Sequence, residues 1–153
     1  MKEESKKAKH LRWVLIALNT MLVFCLSMPF GANVIKDSEH TLNFTQTGLD
    51  LVFSVRLTGT LGAKVLLFSL FFIIPTAGFF TACFDTKRNI KSVVAVIGAF
   101  IGVTAITFLL GSRIQIGALL SLLLYLCTAV VGVMSLLVSY SEGREAMNAL
   151  TKK

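Results

Sequence analysis

Charged residues are absent from four long runs of this chain, residues 13–35, 65–84, 92–112 and 114–141. Each run reaches the roughly 20 residues that a helix needs to cross a hydrocarbon core about 30 Å thick. Lipid offers no partner to a bare backbone N–H or C=O, so segments of this composition are expected to be helices and not open strands. The pattern predicts an all-α integral membrane protein, an antiparallel four-helix transmembrane bundle. Its spans fall at about 12–30, 63–84, 92–111 and 117–140, and residues 1–153 form a single four-pass membrane domain.

Between the first two spans the periodicity changes. Over 41–46 apolar Leu42 and Phe44 alternate with polar Thr41, Asn43 and Thr45, and over 49–57 Leu49, Leu51, Phe53, Val55 and Leu57 share one face. Period two is the signature of half-buried strands. With Gln46, Thr47 and Gly48 as the turn, the extracytoplasmic loop 31–62 is expected to carry a small β-hairpin built from these two strands. The competing reading is an interfacial helix, because Leu49, Phe53 and Leu57 also recur at helical spacing. A hairpin with an open edge is a docking surface to which a partner strand can add, and Phe44, Asp50, Phe53, Arg56 and Arg113 are its candidate residues. Arg113, in the short connection between the last two runs, can pair with Asp37, Glu39 or Asp50 and tie the loop down. Asn43-Phe44-Thr45 also matches the glycosylation acceptor pattern, which matters only in a secretory pathway.

Composition agrees with the segment count. The chain is 55% hydrophobic and 15% charged with a mean hydropathy of +0.78, where an average soluble domain is about 25% charged. The net charge of +7 does not point to nucleic acid, because the basic residues gather at the ends of the apolar runs. Lys2, Lys6, Lys7, Lys9, Arg12, Lys87, Arg88, Lys91, Arg144, Lys152 and Lys153 fall on one side, and only Lys36, Arg56, Lys64 and Arg113 on the other. By the positive-inside rule both termini are cytoplasmic, and the short connections suggest a bacterial cytoplasmic membrane. The basic start followed by an apolar run also has the layout of a secretory signal peptide, but no good small-x-small cleavage site follows, so the run is read as a retained span.

Chemistry is sparse. No Asp, Glu, Lys, Arg or His lies within the four runs, and such a residue is the usual mark of a proton relay or ion path. Cys25, Cys83 and Cys127 are scattered and have no histidine beside them, so neither a disulfide framework nor a metal site is expected. No enzyme activity, cofactor or metal is expected, and His40 beside Glu39 is read as an exposed loop histidine. The residues singled out are for helix packing: Asn19, Pro75, Gly98, Gly102, Thr128 and Gly132. Gly98 and Gly102 form a GxxxG pattern, Thr128 and Gly132 repeat its spacing, and Pro75 should kink its helix. Asn19, a primary amide in an apolar run, is expected to bond across the bundle to Thr128 or Tyr125.

Four spans with inside termini and a large first loop resemble the layout of claudins and tetraspanins. The resemblance is one of topology alone, since residues 31–64 hold no Trp or Cys and no Cys-Cys-Gly occurs; the Cys-x-x-Cys of quinone-reductase-type four-helix proteins is also missing. The expected function is that of a non-catalytic accessory or interaction subunit of a larger membrane complex, with the first loop as docking surface. Its expected partners are membrane lipid and a protein in the membrane or on its outer face. The alternative is a small homo-oligomeric transporter or channel for an apolar or lipidic substrate.

Overall fold

The computed structural model describes residues 5–36, 41–48, 72–85, 89–110 and 115–151. These residues are mostly helical, in four helices: α1 (Lys6–Phe24), α2 (Ile74–Phe84), α3 (Ile90–Leu110) and α4 (Ile116–Thr151). By length and composition α3, over Ile90–Thr107, and α4, over Ile116–Glu145, are long and apolar enough to cross a membrane, and α2 is a shorter apolar helix over its described residues.

Helix α1 begins six residues before the expected span and ends six before its expected end. Ser5 caps it, with an extended backbone and a side-chain oxygen that accepts from Ala8 N at 3.2 Å. Lysine, arginine and alanine are good helix formers, so the basic arm from Lys6 to Arg12 is taken up into the helix. After Phe24 the chain tightens into a 3-10 turn, Cys25–Ser27, and Met28 turns extended (φ −88°, ψ 159°) ahead of Pro29, as the residue before a proline must.

A strand therefore starts inside the first charge-free run. Pro29–Lys36 (β1) pairs antiparallel with Thr41–Thr47 (β2), with Ala32 opposite Thr45, Lys36 opposite Thr41 and an irregularity between Pro29 and Gly31. Residues 41–47 do form a strand, and the partner described for it precedes it in sequence. The reason is local, because Val34 and Ile35 are β-branched and Pro29 forbids further helix. Gly48 is already helical in conformation, and the expected second strand at 49–57 lies outside the described residues.

Pro75 stands in the first turn of α2, one residue after a π-helical turn at Phe72 and Ile73. A proline supplies no N–H to the helix ladder, and a change of helical register there is one way to accommodate it. At the other end of α2, Asp85 closes the turn into α3. Its carboxylate oxygen accepts from Lys91 N at 3.0 Å, serving one of the first amides of α3, while its carbonyl accepts from the Lys91 ammonium at 3.0 Å. Lys91 is thereby buried with its charge spent on hydrogen bonds.

The helices pack in a ring: α1 against α2 and α4, and α3 against α2 and α4, with α3 and α4 the most closely joined pair. One buried cluster joins Leu22, Phe30, Ile106, Ala118 and Tyr125 near the sheet; a second joins Leu15, Ala82 and Ala95 farther along. The sheet is anchored to the start of α4, where Gln115 N donates to Phe30 O at 3.3 Å.

Candidate functional site

Around the Leu15, Leu22, Phe30, Ile106 and Tyr125 clusters, the seams between the helices carry many small and polar side chains. Along α4, beyond Gly117, which meets the Pro29 carbonyl, the buried positions are Ala118, Ser121, Tyr125, Thr128, Gly132 and Ser135, spaced alternately three and four apart. That is a repeat of 3.5 residues, the seam of antiparallel or parallel helices packed side by side. Facing it, α3 buries Ser92, Ala95, Ala99, Gly102 and Ile106 at the same alternating spacing. The contacts run antiparallel. Ser92 Oγ donates to Ser135 Oγ at 2.8 Å; a Cβ added at Gly132 would stand 2.9 Å from Val96 and 3.2 Å from the Ser92 carbonyl; and one added at Gly102 would stand 2.7 Å from the Tyr125 ring.

The other interfaces follow the same rule. Gly98 meets Ile74 of α2, where an added Cβ would lie 2.8 Å from the isoleucine methyl. Gly78 of α2 lies directly on the Asn19 amide of α1. Cys25, just past α1, is buried beside Ser121 of α4.

Outside, the pattern is reversed. Trp13, Phe24, Phe84, Phe100, Leu123, Val130 and Leu137 are all exposed, Phe100 at 73% and Val130 at 59%. On α2, Phe80 and Phe84 stack at 6.1 Å between ring centres, and Phe79 meets Phe80 edge-on at 5.8 Å. Large side chains outward and small ones inward is the opposite of a water-soluble helix, whose stripe of large apolar residues faces the core.

Of the residues singled out from sequence, Asn19, Pro75, Gly98, Gly102, Thr128 and Gly132 are all buried where helices meet. The partner expected for Asn19 needs correction. Its Nδ2 donates to Leu15 O, one turn back in the same helix, at 2.8 Å, and Thr128 likewise serves Leu124 O at 2.8 Å. A side chain beside its own helix reaches the i−4 carbonyl without waiting for a neighbour. In the expected docking surface, Phe44 occupies β2 opposite Asn33, and Asp50, Phe53, Arg56 and Arg113 lie outside the described residues, as does the expected ion pair of Arg113.

Three features went unread. Gly78 carries no pattern of its own; the Ser92–Ser135 bond was hidden because serines in helices usually bond to their own backbone; and the Asp85 cap joins residues separated by a turn. The 3.5-residue recurrence of Ser121, Tyr125, Thr128, Gly132 and Ser135 was the available signal.

The serine pair supports a specific expectation. Ser135→Ala strands the Ser92 hydroxyl in a closed interface and should cost about 1 kcal/mol, whereas the Ser92→Ala, Ser135→Ala double variant should lose less than the two single losses together. Unfolding titrations of the four proteins measure this coupling, and strictly additive losses would show that the bond contributes nothing.

Among the described residues no three His, Cys, Asp or Glu side chains gather as metal ligands. The chain matches no protein-family model, no curated protein and no solved structure.

Proposed function

We propose that this chain is a four-pass integral membrane protein, an antiparallel four-helix bundle with both termini cytoplasmic, that serves as a non-catalytic accessory or interaction subunit. The observation that carries the reading is the inverted distribution of side chains: Gly, Ala, Ser and Thr line the helix seams, and Phe, Leu, Val and Trp cover the outside. In water that arrangement would bare an apolar surface far beyond what a soluble monomer tolerates. In lipid it is the expected one, because helices there gain by close approach at small residues and not by hiding large ones. The eleven-to-four asymmetry of basic residues orients the bundle in the bacterial cytoplasmic membrane.

The way the polar groups are spent supports an accessory role. The hydroxyls of Ser92, Ser135, Thr81, Thr104, Thr107 and Thr128 serve backbone carbonyls or each other. The extracytoplasmic loop, with its β1–β2 sheet anchored on the start of α4, is the surface offered to a partner.

The test is affinity purification from membranes in a gentle detergent with mass-spectrometric identification. One larger membrane or envelope protein should co-purify at fixed stoichiometry, and should be lost when residues 31–62 are replaced by a flexible linker. Recovery of the chain only with copies of itself would overturn the accessory reading in favour of a small homo-oligomeric transporter.

A further inference from the structure

Between α1 and α2 the outer surface opens into a groove of about 310 Å³ lined by Asn19, Thr20, Val23, Phe24, Pro75, Thr76 and Phe79. Its volume is at the lower end of the roughly 300–1,000 Å³ of small-molecule sites. The walls are apolar, but Asn19 is a primary amide only 3% exposed. Its Nδ2 is committed to Leu15 O, and among the described residues no group donates to its Oδ1. Among the described residues no buried side-chain oxygen or nitrogen is both sealed off and unpartnered, so Oδ1 is not fully enclosed, and Asn19 lines the groove. Gly78 pins the amide from the α2 side, where any Cβ would collide with it. Thr76, on the exposed rim, hydrogen-bonds to no described residue, unlike Thr20, whose hydroxyl is held by Ile16 O at 2.8 Å.

We infer that this groove is a binding site for an uncharged, membrane-soluble alcohol, whose hydroxyl donates to Asn19 Oδ1 and whose hydrocarbon body lies along Val23, Phe24 and Phe79. The chemistry selects the class. Apolar walls call for a hydrocarbon body, and an open carbonyl acceptor at hydrocarbon depth calls for a donor, because an unpaired amide there is costly. Among the described lining residues none is ionisable, which favours a neutral ligand. Thr76 supplies a second donor or acceptor at the mouth, suited to the oxygen of the same headgroup or of an adjacent one.

The inference rests on the membrane reading of the outer face, and the experiment separates the two. Protein reconstituted in phosphatidylcholine vesicles is photolabelled with a diazirine-bearing long-chain primary alcohol and, in parallel, with the methyl ether of the same chain. Labelled peptides from α1 and α2 are then quantified. The alcohol should label them about fivefold more than the ether, the factor of one net hydrogen bond. Asn19→Leu should bring the alcohol down to the ether's level, and Thr76→Val, at an exposed position that leaves packing intact, should lower it less. Equal labelling by alcohol and ether on the wild-type chain, or label spread evenly over the outer face, would overturn the site and leave only ordinary acyl-chain contact. The wild-type comparison decides this even if Asn19→Leu fails to fold. Release of the chain from vesicles by alkaline carbonate would instead overturn the membrane reading itself.

Discussion

Gly132→Leu is expected to prise α3 away from α4 and to destabilise the fold by about 3 kcal/mol or more, the upper end of the usual overpacking cost. A Cβ at this position already stands 2.9 Å from Val96, 3.2 Å from Ala95 and 3.2 Å from the Ser92 carbonyl. The valine can rotate but the carbonyl cannot, since it belongs to the first turn of α3 beside the Ser92–Ser135 bond. The remaining leucine carbons have no room inside the seam, so the helices must separate and the serine bond must lengthen with them. Gly143 provides the control within the same helix: nothing lies within 4 Å of an added Cβ, and Gly143→Leu should leave stability unchanged or raise it slightly through helix propensity. Melting curves in one detergent, followed by the monodisperse fraction on size exclusion, compare the pair. Equal melting points for the two variants would refute the close seam between α3 and α4.

Val130→Asp is expected to block membrane integration. Val130 is 59% exposed and sits near the middle of the apolar stretch Ile116–Glu145, on the side of α4 away from the seam. A carboxylate at the centre of a spanning helix costs about 2.5 to 3.5 kcal/mol on insertion scales. The same exposed substitution in a water-soluble protein would change stability by less than about 0.5 kcal/mol. The measurement is the fraction retained in membrane pellets after alkaline carbonate washing, with Glu142→Asp as a charge-neutral control in the more polar part of the helix. Full retention of Val130→Asp would mean that this face of α4 does not meet lipid.

Helices α3 and α4 were legible over 92–110 and 116–141 because nothing charged interrupts those stretches and because a helix is the one backbone that satisfies itself without water; the last turns of α4, which carry Glu142, Arg144 and Glu145 and run to Thr151, were not. The beginning of α1 was not either, since basic residues such as Lys6, Lys7, Lys9 and Arg12 suit a membrane boundary and are at the same time good helix formers, and only the cap at Ser5 decides that the helix runs through them. Strand β1 was concealed for a related reason. Absence of charge reports burial or lipid, not backbone conformation, so the run 13–35 reads continuously across a helix, a 3-10 turn and a strand. Pro29 was the one visible break. The small residues of the seam were legible singly, in Gly98, Gly102, Thr128 and Gly132, but their pairing across helices depends on register, which spacing within one helix does not set. Asn19 was recognised as a residue that needs a partner; which partner depended on the reach of its own side chain to Leu15.

The contrast between a small-residue interior and a bulky exterior also shapes how the fold responds to temperature. For a water-soluble domain the heat capacity rises on unfolding because apolar surface enters water, at about 0.45 cal/K/mol per Å². Here many phenylalanines, leucines and valines already face outward, and in the bilayer we propose, parting α3 from α4 uncovers chiefly Ala, Gly and Ser to acyl chains. Very little hydrocarbon changes its contact with water in that step. Calorimetry should accordingly find a nearly constant unfolding enthalpy, a free energy that falls in an almost straight line on heating, and no loss of structure in the cold.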